Sequence, residues 1–315
     1  MVKIMEVWDL IIVGAGPAGL TAGIYAARSG LKTLIIEEKI AGGTVGDAPL
    51  IENYPGFESI SGAELAQRFA AQCRKLGTVI HEFEKVLALD LKGEEKIVKT
   101  DKDIYKAKAV IIASGSSYSE LGVPGEREFR GRGVSYCGIC DGPLFKGKRV
   151  LVVGGGNSAV ATALYLAELA SEVKVAHRRE AFRAEEIRVK ALLGKSNVEV
   201  LWNTEVKEIG GGKVVEKVVL FNNKTGETRE LPVDGVFIQV GEVPNSRVAK
   251  EAGVEVDEHG YIIVDTRQRT NIDGVYAAGD VTNHPVKQVG TAVGHGITAA
   301  LEAYGFIRRP YYYKR

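Results

Sequence analysis

The sequence contains the same local pattern twice, and this internal repeat restricts the fold more than any other feature. In each copy a short apolar run leads into a glycine-rich hexapeptide, followed by a helical pattern and a second apolar run. The first copy begins with residues 9–13 and the second with residues 149–153. Strands and helices that alternate in this way predict an α/β fold with parallel sheets. A chain of 315 residues is long enough for two such domains.

The glycine positions of the first copy match a dinucleotide-binding turn. A helix is predicted over 22–28, and the preceding hexapeptide is Gly14-Ala15-Gly16-Pro17-Ala18-Gly19. The first glycine permits a tight turn, the second lets a pyrophosphate approach the backbone, and the third lets helix and strand pack closely. The next predicted strand, Thr33–Ile36, ends in Glu37 and Glu38, whose carboxylates can accept hydrogen bonds from ribose hydroxyls. We therefore predict a site for FAD or NAD in the first copy.

The second copy repeats the turn but carries the opposite charge after its second strand. A helix is predicted over 160–170 and a strand over 173–176, after the hexapeptide Gly154-Gly155-Gly156-Asn157-Ser158-Ala159. The strand leads into a basic cluster formed by His177, Arg178, Arg179 and Arg183. Guanidinium groups bind a phosphate bidentately, whereas a carboxylate would repel it. The second copy is therefore predicted to bind NADP, with the 2′-phosphate on the arginines.

A third apolar strand lies far downstream and ends in Gly279 and Asp280. An aspartate at the carboxyl end of a parallel strand lies where it can hold a ribityl hydroxyl. Taken alone, the pair is more typical of an Asx turn. Together with the first glycine loop it indicates a second part of the same cofactor site.

Two of the three cysteines, Cys137 and Cys140, are separated by two residues and lie just before the second copy. This spacing is typical of a redox disulfide, of half a zinc site, or of two buried thiols. A structural zinc site needs four ligands, but only Cys73 remains and the five histidines contain no closely spaced pair. A disulfide would instead accept two electrons beside two sites for two-electron carriers. We interpret the pair as redox-active, with Asp141 able to give or take a proton.

Composition and charge argue against several other classes of function. Forty-one basic residues balance 40 acidic ones, which leaves no basic stripe for nucleic acid. No apolar run approaches the ~20 residues of a membrane span, and residues 1–13 lack the pattern of a signal peptide. The low cysteine count favours the cytoplasm. Few Cys, Met and Trp beside many Lys and Glu are weakly typical of a thermophilic source.

Together these motifs resemble those of the low-molecular-weight thioredoxin reductases, from Asp9 to about Tyr304. The most specific matching segments are 137–142, 154–159 and 177–183, with shorter matches at 52–56, 241–245 and 287–289. The resemblance implies two Rossmann-like domains of the three-layer type. An FAD domain would comprise 1–117 and 248–315, and an inserted NADPH domain, 118–247, would carry the cysteines.

The resemblance also implies thioredoxin-disulfide reductase activity. Hydride would pass from NADPH to FAD, electrons would reach the Cys137–Cys140 disulfide, and thiol–disulfide exchange would reduce thioredoxin or a glutaredoxin-like protein. Cys140 would face the flavin, Cys137 would attack the substrate, and Asp141 would be the acid. A homodimer is implied, and no metal. The remaining cofactor-binding residues implied are Gly43, Thr44, Asn53, Ala113, Gly115, Gly241, Lys287, Gln288 and Val289.

Three residues depart from the family pattern, and none belongs to the cysteine pair or the arginines. Thr44 stands where glutamine is common, Lys287 where arginine is common, and His295 where an acidic or small residue is common. Residues 287–289 are expected to open a helix that points at the pyrimidine end of the flavin, where its dipole stabilises negative charge.

Other functions remain open at this stage. A flavoprotein of the same fold with another acceptor, such as a ferredoxin–NADP reductase or a peroxide-forming NAD(P)H oxidase, would lack the cysteine pair. A glutaredoxin-like oxidoreductase or a peroxiredoxin system could replace thioredoxin, because docking surfaces have no short motif. A non-enzymatic redox sensor would need an effector module, and no such motif occurs.

Overall fold

The computed structural model describes residues 7–48 and 50–309. The chain forms two compact units: the first takes the chain up to Ser117 and from Val243 onward, and the second is Tyr118–Glu242. The outer ends of the predicted FAD domain, 1–6 and 310–315, lie outside the described residues.

The helices and strands follow in three stretches of the chain. The first contains β1 (Val7–Val13), α1 (Pro17–Arg28), β2 (Thr33–Ile36), a 3-10 helix (Gly43–Asp47), α2 (Gly62–Lys75), β3 (Val79–His81), β4 (Val86–Asp90), β5 (Lys96–Thr100) and β6 (Ile104–Ile112). The second contains β7 (Ser116–Tyr118), β8 (Val134–Ser135), α3 (Gly138–Asp141), a 3-10 helix (Gly142–Phe145), β9 (Arg149–Val153), α4 (Asn157–Ala167), β10 (Glu172–His177), α5 (Glu186–Leu193), β11 (Val198–Trp202), β12 (Thr204–Gly211), β13 (Val215–Asn222), β14 (Thr228–Pro232) and β15 (Gly235–Ile238). The returning stretch contains β16 (Glu242–Pro244), α6 (Arg247–Glu251), β17 (Val275–Ala277) and α7 (Val289–Arg308).

The first unit is built on a mixed sheet in the order β3–β2–β1–β6–β5–β4. The four strands β3, β2, β1 and β6 pair in parallel with their neighbours. Strands β5 and β4 extend the sheet beyond β6 through antiparallel pairing. Strand β17 pairs in parallel with the last three residues of β6, which also pair with β1. The carboxyl ends of β1, β2 and β17 therefore meet at one edge, where parallel sheets bind their ligands.

The second unit repeats this plan with a parallel sheet in the order β11–β10–β9–β15–β8. A separate antiparallel sheet, β12–β13–β14, belongs to the same unit. Strand β9 buries both of its faces, with Leu151 and Val153 in one apolar cluster and Val150 and Val152 in another. This is the burial expected of a parallel strand covered on both sides. The predicted α/β class with two Rossmann-like units is confirmed.

The predicted strands 33–36 and 149–153 match β2 and β9. The predicted helix starts at residues 22 and 160 were wrong, because α1 begins at Pro17 and α4 at Asn157. Proline suits the first turn of a helix, where its missing N–H is not needed. Both helices begin inside the hexapeptides, before the apolar periodicity of the sequence starts. Within residues 7–48 and 50–309, no helix combines the length and apolar character that crossing a membrane requires.

Candidate redox and nucleotide sites

The first hexapeptide forms a tight turn between β1 and α1. Gly14 has a φ of +103°, and a Cβ there would lie 2.4 Å from the carbonyl oxygen of Ala113. A Cβ at Gly19 would lie 1.9 Å from the carbonyl oxygen of Gly14, whereas a Cβ at Gly16 would meet nothing within 4 Å. No side chain caps the N-terminus of α1, which begins at Pro17. The fold thus requires Gly14 and Gly19, while Gly16 borders open space beside an uncapped helix start, as an anion site does.

The two predicted ribose-binding carboxylates occupy different places. Glu37 accepts hydrogen bonds from the backbone N–H of Ala15 at 2.8 Å and of Lys39 at 2.9 Å. Its carboxylate therefore lies directly against the glycine loop. Glu38 forms an exposed ion pair with Lys85 at 2.6 Å. Of the two, Glu37 has the position that a ribose ligand needs.

Residues from the segment after β2 line the same loop. The ideal Cβ of Gly43 would lie 3.0 Å from the Cα of Gly16, so these two backbones touch. Thr44 follows on the 3-10 helix and is exposed. Asn53 donates from Nδ2 to Oε1 of Gln288 at 3.2 Å, which ties this segment to the start of α7.

Helix α7 starts beside α1. It begins at Val289, and its N-cap residue Gln288 makes no side-chain cap. A Cβ at Gly279 would lie 3.0 Å from the Cβ of Ala18 in α1 and 3.7 Å from the Cβ of Ala292 in α7. Two helix N-termini thus converge on Gly279, and their dipoles favour negative charge at this edge of the sheet.

Lys287 organises the turn that follows β17. Its ammonium donates to the carbonyl oxygens of Asp280 at 3.0 Å and Thr282 at 2.5 Å, and lies 4.1 Å from the ring centroid of Tyr261. The charge that the predicted flavin contact requires is therefore present and fixed in place beside α7.

Three further predicted cofactor residues lie near the crossings of the chain. The carbonyl oxygen of Ala113 packs directly against Gly14. The carbonyl oxygen of Gly115 accepts a hydrogen bond from the N–H of Asn245 at 3.0 Å. The carbonyl oxygen of Gly241 accepts one from the N–H of Ser119 at 2.9 Å. Gly241 therefore belongs to the second unit, apart from the first glycine loop.

The second hexapeptide repeats the geometry of the first. Gly154 has a φ of +150°, and a Cβ there would lie 2.3 Å from the carbonyl oxygen of Gln239. A Cβ at Gly155 would lie 2.1 Å from the ring of His177, and a Cβ at Gly156 would meet nothing within 4 Å. Helix α4 also starts without a side-chain cap, and Asn157, Ser158 and Ala159 form its first turn. This loop too is open at its middle glycine.

The predicted basic cluster divides into exposed arginines and a buried histidine. Arg178, Arg179 and Arg183 are exposed, and the N–H of Arg183 donates to the carbonyl oxygen of Gly155 at 2.8 Å. The imidazole of His177 is buried beneath the loop, and its burial lowers the pKa of the ring. The backbone of Arg183 therefore lies against the loop, and the three exposed arginines are accessible to a phosphate, whereas the buried ring of His177 packs under Gly155.

The cysteines form the predicted disulfide, with the Cα atoms of Cys137 and Cys140 5.3 Å apart. Because the two sulfurs are bonded to each other, the redox interpretation is confirmed over the zinc one. The disulfide lies at the start of α3, where the N–H of Cys140 donates to Sγ of Cys137 at 3.2 Å. Cys73 is buried, and burial raises the pKa of its thiol, as for a structural cysteine.

Helix α3 is held against α4, the helix that starts at the second glycine loop. A Cβ at Gly138 would lie 2.6 Å from Cγ2 of Thr162, and one at Gly142 would lie 2.8 Å from Cε1 of Tyr165. The disulfide and the second glycine loop are therefore joined through one helix of the same unit.

Three polar residues around the disulfide escaped the sequence analysis. Ser135 contacts Asp141, and Gln239 donates from Nε2 to the carbonyl oxygen of Tyr136 at 2.8 Å. Glu126 is 1% exposed and accepts a hydrogen bond from the hydroxyl of Tyr136 at 2.8 Å. No short motif in the sequence marks them.

The unusual His295 packs on a second histidine, with its ring centroid 4.8 Å from that of His284. Burial, followed by the charges of His284 and Lys287, lowers the pKa of His295 from 6.5 to about 4. At neutral pH the ring is therefore uncharged.

This depressed pKa predicts a pH-dependent loss of stability. As the pH falls from 6.5 towards 4, the unfolded chain binds a proton that folded His295 refuses, so folding weakens over this window. We expect the melting temperature of the wild type to fall more steeply there than that of His295→Gln. His259→Gln, at a histidine that is 74% exposed, should behave as the wild type. Equal slopes for all three proteins would contradict the assignment.

This chain is similar to known proteins along most of its length. Residues 8–296 match the family described as pyridine nucleotide-disulphide oxidoreductase. The chain is 45% identical over 297 residues to a thioredoxin reductase from Bacillus subtilis, covering 94% of this chain and 93% of that protein.

Two solved structures extend the comparison. The thioredoxin reductase from Streptococcus pyogenes is 41% identical with a TM-score of 0.92, covering 96% of this chain and 99% of that one. A ferredoxin-flavin thioredoxin reductase from Clostridium acetobutylicum is 37% identical with a TM-score of 0.53, covering 97% and 100%.

Proposed function

The chain belongs to the thioredoxin reductase family of pyridine nucleotide-disulphide oxidoreductases, and from this membership we propose that it reduces thioredoxin with electrons from NADPH. It is a flavoprotein oxidoreductase with a redox disulfide, Cys137–Cys140. FAD, NADPH and the domain limits 1–117 with 248–315 and 118–247 are parts of the proposal, although the compact units of the fold divide after Glu242, five residues before the second limit.

The observation that carries the proposal is the place of the disulfide. It lies on α3, which packs on α4, and α4 begins at the second glycine loop. Anaerobic titration with NADPH, followed by visible absorbance, tests the proposal. One pair of electrons reduces the flavin and another the disulfide, so we expect uptake of about two equivalents. Uptake of only one would remove the disulfide from the pathway.

The first glycine loop suits FAD. Gly16 leaves room for the pyrophosphate, the uncapped starts of α1 and α7 favour its charge, and Glu37 can hold a ribose. Glu37 would repel a 2′-phosphate, which favours FAD over NADPH at this loop. When bound at the Gly16 turn and Glu37, FAD would supply the two-electron chemistry that links NADPH to the disulfide.

The reduced cysteines then perform thiol–disulfide exchange. The thiolate of Cys137 attacks one sulfur of the substrate disulfide, forms a mixed disulfide and releases the first substrate thiolate. Cys140 attacks Sγ of Cys137, which releases the second substrate thiolate and restores the Cys137–Cys140 bond. Asp141 is the proposed proton donor to a departing thiolate, and burial raises the pKa of its carboxyl, which favours the protonated form.

The arginines of the second loop are proposed to select NADPH over NADH. The double variant Arg178→Gln/Arg179→Gln should lower kcat/KM for NADPH by about 100-fold and change that for NADH little, since each charge-assisted hydrogen bond contributes roughly 1.5–3 kcal/mol. Arg188→Gln, at an exposed arginine paired with Glu185 at 3.0 Å, is the matched control.

Steady-state kinetics with both nucleotides measures the preference directly. Equal efficiency with NADPH and NADH in the wild type would refute the 2′-phosphate assignment. Because the relative from Clostridium acetobutylicum is named for ferredoxin, the electron donor is the part of the proposal that this experiment decides.

Thioredoxin is proposed as the substrate because it gives the relatives their name, with a glutaredoxin-like protein as the alternative. A homodimer and a cytoplasmic location are also proposed, from the family resemblance and the low cysteine count. Sedimentation equilibrium of the purified protein measures the oligomeric state, and a monomer would contradict the proposed homodimer.

A further inference from the structure

One buried hydroxyl contacts both the disulfide segment and the proposed acid. Ser135 ends β8 and is 4% exposed. Its Oγ accepts a hydrogen bond from the N–H of Cys137 at 3.1 Å and lies 2.6 Å from Oδ2 of Asp141. The same Oγ lies 3.3 Å from the carbonyl oxygen of Cys137. A hydroxyl has a single proton, and the shorter contact directs it to Asp141.

The surroundings of Asp141 make this contact important. Burial raises the pKa of the carboxyl, and the hydrogen bond from Ser135 lowers it. The α4 side chains nearest this segment are the uncharged Thr162 beside Gly138, and the phenol of Tyr165 and the apolar Leu166 beside Gly142. Among the described residues, Ser135 is the one side chain that hydrogen-bonds this carboxylate. Ser135 therefore acts on both the orientation and the protonation of Asp141.

We propose that Ser135 is a positioning residue for thiol–disulfide exchange, which holds the carboxyl of Asp141 beside the backbone of Cys137. This inference rests on the proposed function. In the exchange, Cys137 Sγ bonds to a substrate sulfur, the substrate disulfide breaks, and the departing thiolate takes the proton of Asp141. The thiol of Cys140 then returns a proton to Asp141 as it becomes the resolving thiolate, so protons and electrons balance.

The variant Ser135→Ala, studied as holoenzyme, tests the proposal. We expect kcat for disulfide reduction to fall about tenfold, the effect of one lost hydrogen bond to a charged group, with KM for NADPH unchanged. Without this hydrogen bond the carboxylate is less stable, so Asp141 keeps its proton to higher pH. In Ser135→Ala, the fall of kcat on the alkaline side of its pH profile should therefore occur at higher pH than in the wild type.

Two further variants separate positioning from a general structural defect. Ser135→Thr keeps the hydroxyl and should keep the wild-type alkaline fall. In an Asp141→Asn background, Ser135→Ala should have no further effect on the pH profile. An unchanged alkaline fall in Ser135→Ala, or an equal effect in both backgrounds, would overturn the proposal. The rate of flavin reduction by NADPH should be the same in all variants, which shows that they fold.

A readout that needs no NADPH keeps the two proposals distinguishable. In a Cys140→Ser background reduced with dithiothreitol, Cys137 is the remaining thiol of the pair, so the rate of its alkylation by iodoacetamide against pH reports its thiolate fraction. A carboxyl that keeps its proton repels this thiolate less. The profile of Ser135→Ala should therefore shift to lower pH, and that of Ser135→Thr should not. If the wild type reduces no protein disulfide, the proposed function fails, and the alkylation profiles still decide the role of Ser135.

Discussion

Replacing Cys137 with serine is expected to lower disulfide reduction by at least about three orders of magnitude, because the attacking thiolate is lost. The flavin should remain bound and reducible, and anaerobic titration should consume about one equivalent of NADPH rather than two. Turnover with thioredoxin and the visible spectrum during titration measure both effects. Cys73→Ser, at the buried third cysteine, should retain full turnover. Retained disulfide reduction in Cys137→Ser would instead show that the electrons reach the substrate without Cys137.

The matched variant Cys140→Ser separates the roles of the two sulfurs. If Cys137 attacks the substrate, this variant should trap a covalent complex with thioredoxin, because no resolving thiol remains. Exposure alone would favour the opposite assignment, since Cys140 is exposed and Cys137 is half-buried. A trapped complex with Cys137→Ser, and none with Cys140→Ser, would exchange the roles.

Substitutions in the first glycine loop should separate the folding role of glycine from its binding role. Gly14→Ala places a Cβ 2.4 Å from the carbonyl oxygen of Ala113 at a φ of +103°, and should destabilise the fold by about 3 kcal/mol or more. Gly16→Ala meets open space, and should change the stability of the apoprotein by less than about 0.5 kcal/mol. Its methyl group would occupy the approach of the pyrophosphate, so FAD affinity should fall about 100-fold.

Thermal melting of the apoproteins and flavin titration measure the two effects separately. Gly156→Ala is the control in the second loop, where a Cβ also meets open space. It should keep FAD and raise KM for NADPH. Full FAD affinity in Gly16→Ala would refute the assignment of FAD to the first loop.

Local chemistry made much of the fold predictable. The strands β2 and β9 are continuous apolar runs bounded by glycine or charge, so their limits could be predicted to the residue. The starts of α1 and α7 differ in how well the sequence predicted them. Residues 287–289 correctly indicated the start of α7, but apolar periodicity placed the start of α1 too late, because its first turn consists of the loop residues themselves. The antiparallel sheet β12–β13–β14 was not predicted, since its pairing joins strands that share no motif.

The sequence by itself determined the two glycine loops and the cysteine pair, because their geometry depends on residues a few positions apart. Gly14 and Gly154 need positive φ within one turn, and Cys137 reaches Cys140 across two residues. Only the tertiary structure decided how these parts are supported. It brought Gln239 to Tyr136 and Ser135 to Asp141. Such contacts join different elements, and sequence spacing carries no information about which polar groups meet when sheets and helices pack.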